Sequence, residues 1–119
     1  LAFHGIVRYT GDLDVLVHAT AANGERVVQA LHRFGFASLK LTSDDFAKPD
    51  QVVQLGYPPG RIDILTSIDG VMWAQVHAGA VVGDYAGVPV RFISKSDLIR
   101  NKRATGRPQD VVDAEQLGG

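Results

Sequence analysis

Residues 9–17 read YTGDLDVLV, and the fold turns on whether this stretch is a strand. Residues 12–18 are rich in leucine and valine and alternate with period two, and a cluster of breaking residues follows at 19–24. The pattern predicts a strand over 12–18. On a strand, side chains two positions apart share a face, so Asp12 and Asp14 project together while Leu13, Val15 and Val17 lie on the other side. Two like charges about 6 to 7 Å apart raise each other's proton affinity unless a cation sits between them. A divalent metal relieves that repulsion, and ligation by carboxylates alone favours magnesium or manganese over zinc. An aspartate pair at the head of a strand also serves as a turn or cap feature, so both readings stand.

Outward from that strand, residues 25–34 carry Val28, Leu31 and Phe34 on one side and Arg26 and Arg33 largely on the other, the pattern of an amphipathic helix. Gly35 stops it. Residues 36–50 are mixed, with a short helical turn expected over 43–47. Two strands are expected over 51–55 and 61–66, joined through the turn-forming GYPPG. The stretch SIDGVMWAQVHAG opens on Ser67 and Asp69, both competent to cap, and predicts a short helix to about His77 with Met72 and Trp73 packed in the core. Strands over 80–85 and 88–93 follow. Ser94 then caps a helix over 95–104, TGRP breaks it, and Pro108 suits the first turn of a last helix ending at Leu117. Helices thus alternate with strands around one small mixed sheet. The expected class is α/β (α+β), a single domain over 1–119.

Apolar residues at 45% and charged residues at 21% of the 119 are ordinary globular usage, which argues against disorder and fibrous structure. The apolar runs are too short to span a bilayer, so no membrane partner is expected. No secretory leader is evident, and a chain without cysteine needs no oxidising compartment, which points to the cytoplasm. The net charge of −1 excludes a protein coated in basic residues for nonspecific nucleic-acid binding. Yet Lys95, Arg100, Lys102, Arg103 and Arg107 face a single acid, Asp97, so an anion-binding surface is expected there, unless the cluster is simply a solvated helix face.

A third acid, Asp63, lies between Ile62 and Ile64 in RIDIL, its side chain facing away from the isoleucines. If its strand pairs beside the first with Asp63 on the aspartate face, three carboxylates converge, the number that holds two metals for in-line phosphoryl chemistry. Further on, Lys102 follows Leu98 by four and Ile99 by three, on the inward face of its helix, whereas Arg100 and Arg103 point elsewhere. An inward lysine needs an anion. Asp110 shares a face with Ala114 and Leu117 and is directed inward too; alternatively it favours the helix dipole and pairs with Lys102 or Arg107. His4, His18, His32 and His77 have no metal-ligand spacing and read as ordinary core or surface residues.

Taken together, RYTGDLDVLV, YPPGRIDILTSIDGV and VPVRFISKSDLIRNKRATGRPQDVVDAEQL resemble the minimal nucleotidyltransferases of the DNA polymerase beta-like superfamily, particularly the AbiE-type toxin group. The resemblance covers nearly the whole chain. It implies a nucleotidyltransferase-like fold in which Asp12, Asp14 and Asp63 bind Mg²⁺ or Mn²⁺, Asp63 alternatively activating the attacking hydroxyl. It implies that Lys102 steadies a nucleoside triphosphate, that Arg8, Thr10 and Arg107 sit near its phosphates, and that Asp110 orients Lys102 or the acceptor side. The activity implied is transfer of a nucleotide from an NTP to a hydroxyl, with tRNA or another nucleic acid, a protein or a small molecule as acceptor. One departure matters. The family carries a Gly-Gly or Gly-Ser motif on a helix before its D-x-D, where this chain has only Gly5 after LAFH, as if an N-terminal segment lay upstream. The alternative is therefore a noncatalytic nucleotide-binding or protein-interaction module on the same fold, for example one half of a toxin–antitoxin pair with a cognate protein partner.

Overall fold

A computed structural model describes residues 13–57, 60–85 and 87–119. The fold is mixed α and β, with small sheets and four α-helices among the described residues. By internal contacts the chain divides into two compact units, one running through Ser67 and the other from Ile68 onward.

The first unit contains β1 (Leu13–Leu16), α1 (Ala21–Arg33), two short 3-10 turns (Ala37–Leu39 and Ser43–Phe46), β2 (Val52–Leu55) and β3 (Ile62–Leu65). Its sheet has the order β1-β3-β2, with β1 parallel and β2 antiparallel to the central β3. Register sets Val15 against Ile64 and Ile64 against Val53, so Leu13 and Val15, Ile62 and Ile64, and Val53 and Leu55 share one face, while Leu16, Leu65 and Val52 lie on the other. Against that face pack Leu31 from α1 and Phe46 from the second 3-10 turn. With Leu55 and Ile64 they form a buried core, extended by Val17, Val27, Val28 and Phe36.

Helix α1 starts four residues earlier than its apolar periodicity indicates. Thr20 is extended and its hydroxyl accepts the Asn23 N–H at 3.1 Å, an N-cap that converts the apparent breakers into a first turn. The Asn23 side chain adds a bond to the His18 carbonyl at 3.0 Å. Gly24 has a packing reason to interrupt this helix: a Cβ there would stand 2.6 Å from the Ser43 carbonyl oxygen. The missing side chain lets the 3-10 turn lie directly on α1, which brings Phe46 into the core. At the far end of the unit, Asp50 takes a left-handed φ of 62°, and its amide donates to Ser67 Oγ at 2.9 Å while Ser67 Oγ donates to its carboxylate at 3.0 Å. Ser67 thus ties the start of β2 to the end of β3 rather than capping a helix.

The second unit contains α2 (Trp73–Gly79), β4 (Val81–Tyr85), β5 (Val88–Phe92), α3 (Lys95–Thr105) and α4 (Pro108–Gln116). Among the described residues β4 and β5 pair only with each other, antiparallel, so the expected single mixed sheet is instead two sheets. Helix α2 begins only at Trp73, because 68–71 form a tight turn closed by an Ile68–Val71 bridge with Gly70 at φ 82°. Gly70 also lies where a Cβ would meet Ala104 Cβ at 2.6 Å and the Arg100 carbonyl oxygen at 2.9 Å. Met72, expected in the core, precedes the helix and is 77% exposed; Val76 is the buried residue of α2. Trp73 is half-buried and stacks on His77 at 4.5 Å.

The end of the chain follows its sequence closely. Ser94 Oγ accepts the Asp97 N–H at 3.1 Å, and Pro108 stands in the first turn of α4. Ala114 and Leu117 are buried, as their spacing requires. Among the described residues no helix is long and apolar enough to cross a membrane.

Candidate functional site

The alternation that buries Ile64 turns Asp63 to the opposite face, and the parallel register makes Asp14 its Cα partner on β1. The condition for convergence is therefore met for these two acids: they are cross-strand neighbours on one face, on strands about 4.8 Å apart. On the other side of Asp63 lies Gln54 of β2, giving a polar row Asp14, Asp63, Gln54 across the sheet. Asp14 and Gln54 are exposed and Asp63 is buried. Asp12, Arg8 and Thr10 lie outside the described residues. No group of three or more histidine, aspartate or glutamate side chains placed to hold a metal occurs among the described residues.

The carboxylate of Asp63 is held by Arg61, two positions earlier. Arg61 Nη2 donates to Oδ2 at 3.2 Å, and Nε lies 2.9 Å from Oδ1 as an ion pair outside hydrogen-bond geometry, with side chains 29% and 12% exposed. The Arg61 backbone is fixed as well, since its carbonyl accepts the Leu13 N–H at 3.0 Å. An arginine beside the third aspartate was visible in RIDIL, but only the structure shows that the two meet.

In the second unit Lys102 turns inward from α3, as its spacing from Leu98 and Ile99 indicates, and finds two anions on α4. Its Nζ is 3.4 Å from Asp110 Oδ1 and 3.2 Å from Asp113 Oδ2. Asp110 accepts further bonds from Thr105 Oγ1 at 2.7 Å and Arg107 Nε at 2.8 Å. Burial alone would push the Asp110 carboxyl up; the bonds from Thr105 and Arg107, with the charges of Lys102 and Arg107, outweigh it and hold the carboxyl below its ordinary value. Asp113, which the sequence reading did not single out, is the more buried acid at 1% exposure and also accepts Gln109 Nε2 at 2.9 Å. It lies three residues after Asp110, on the face the helix periodicity assigned to Asp110, so the signal was present.

Lys102, Arg107, Asp110 and Asp113 compensate one another, two positive against two negative. Of the basic cluster, Arg100 is drawn back onto buried Asp97 at 2.9 Å, where Gln75 Nε2 also donates at 3.2 Å. Lys95 and Arg103 are exposed. Comparison with known protein families, with curated proteins and with solved structures found no match for this chain.

Proposed function

We propose that the chain is a cytoplasmic, metal-dependent nucleotidyltransferase that transfers an NMP from an NTP to a hydroxyl acceptor and releases pyrophosphate. The observation that carries the reading is the pairing of Asp14 with Asp63 on one face of adjacent parallel strands, because two carboxylates set side by side offer the oxygen donors that a divalent cation prefers. Asp14 and Asp63, with Asp12, would hold Mg²⁺ or Mn²⁺, whose preference for oxygen donors they match. The bound metal would neutralise charge developing on the α-phosphate and the leaving pyrophosphate. In the transfer the acceptor oxygen bonds to the α-phosphorus, the bond to the β-phosphate oxygen breaks, and the hydroxyl proton passes to a base, for which Asp63 is the candidate.

Thermal unfolding with each NTP, with and without Mg²⁺ or Mn²⁺, tests this. A ligand bound only by the folded state adds about 2.7 kcal/mol at a hundredfold excess over its Kd. A stabilisation that needs both metal and triphosphate and disappears in Asp14→Asn supports the reading; none with any NTP sinks it.

A second reading is favoured by the internal compensation of the charges: a noncatalytic nucleotide-binding or protein-interaction module, such as one member of a toxin–antitoxin pair. Arg61 already occupies the Asp63 carboxylate, and Lys102 is met by two acids. Labelled NTP separates the two readings, since the module binds and does not turn over.

A further inference from the structure

We propose that Arg61 is a positioning residue that governs cation binding at the Asp14–Asp63 face, by holding the same Asp63 oxygens that a divalent metal must use. The inference rests on the metal-site reading above. Its basis is geometric. Arg61 stands just before β3, two residues from Asp63; its Nη2 donates to Oδ2 at 3.2 Å, its Nε lies 2.9 Å from Oδ1, and its backbone is anchored to β1 through Leu13.

A guanidinium presents its donors in a fixed planar fork, so it orients a carboxylate as well as neutralising it. A metal approaching Asp63 meets a positive charge already in place and must take at least one oxygen from the fork. Arg61 therefore opposes cation binding twice, by repulsion and by occupancy, while keeping Asp63 in one rotamer when no cation is bound. Lysine would keep the charge and lose the fork. Glutamine would lose the charge and keep one donor.

The test is Mn²⁺ binding by calorimetry and by electron paramagnetic resonance of free Mn²⁺, on the wild-type chain, Arg61→Gln, Arg61→Lys and Asp63→Asn, each first checked for a cooperative unfolding transition. Removing a like charge at this distance is expected to tighten Mn²⁺ about tenfold in Arg61→Gln. Arg61→Lys should fall between it and wild type, and Asp63→Asn should weaken binding. Mg²⁺ titration of the wild type gives a readout that needs no variant: the Arg61 Nε–H resonance should move as its ion pair with Asp63 is loosened. Mn²⁺ binding that depends on Asp63 but is unchanged or weakened in Arg61→Gln, or an Arg61 signal indifferent to Mg²⁺, overturns the proposal and leaves the metal site standing. Mn²⁺ binding indifferent to Asp63→Asn overturns both.

Discussion

Lys102 and Asp113 meet at 3.2 Å with side chains 13% and 2% exposed. An ion pair this far from water is a weak source of net stability but a strong constraint, because without Asp113 the buried Lys102 is left with Asp110 alone, at 3.4 Å. Asp113→Ala is therefore expected to destabilise the chain by about 3 kcal/mol in urea unfolding, with Asp113→Asn milder since it can still accept from Gln109. A loss under about 0.5 kcal/mol in Asp113→Ala would show that water reaches Lys102 freely.

The lowered Asp110 carboxyl gives the pH response a sign. Because the folded value lies below the unfolded one near 3.8, the group's contribution is complete above that pH and is lost as the pH falls through the folded value. Asp110→Asn should thus be less stable than wild type at neutral pH, and the gap should narrow in acid below pH 3.8. Melting curves at both ends of that range check it; a gap that widens in acid contradicts the assigned direction.

How much of this was legible in the sequence depended on whether the signal was local. The strand through Asp14, the Ser94 cap and the inward turn of Lys102 are settled within a few residues, and the structure agrees with them, although burial along β1 does not alternate, since Val15 is as exposed a position as Asp14. The start of α1 was hidden because Ala21, Asn23 and Gly24 look like a loop until Thr20 supplies the cap. Whether Asp63 would lie beside Asp14 depended on which strands pair and in what register, and neither strand's composition encodes that. The division into two sheets was illegible for the same reason: nothing in 81–85 or 88–92 names the neighbour those strands do without. Asp113 shares the face of Asp110, Ala114 and Leu117, so its inward turn was legible in the spacing, whereas its partner Lys102 follows only from the packing of α4 on α3.

Gly24→Ala separates helix propensity from packing. Alanine favours a helix over glycine by about 1 kcal/mol, but the added methyl would press on the Ser43 carbonyl at 2.6 Å, and backbone cannot rotate away as a side chain can. The expected net effect is a loss of about 1 to 2 kcal/mol in denaturant unfolding. A stabilised variant would mean that the second 3-10 turn yields readily.

Asp14→Asn and Asp63→Asn should part company in the absence of ligand. Asp14 is exposed, so its variant is expected within about 0.5 kcal/mol of wild type. Asp63→Asn weakens the ion pair with Arg61 and should lose about 1 to 2 kcal/mol, part of the full penalty because Arg61 is 29% exposed. Both should abolish any stabilisation that requires metal and NTP together, so the first variant reports on the site with folding left almost untouched.

The parallel β1–β3 ladder also sets an order of events during folding. The β4–β5 hairpin closes a loop of a few residues, whereas setting Asp14 beside Asp63 requires the chain to close about 50 residues at once, an entropy penalty that grows with the logarithm of loop length and precedes any gain from the ladder. Helix α1 and the 3-10 turns shorten that search if they form first. The acidic face is then among the last features to assemble, and a chain caught midway presents the hairpin but not the carboxylate pair.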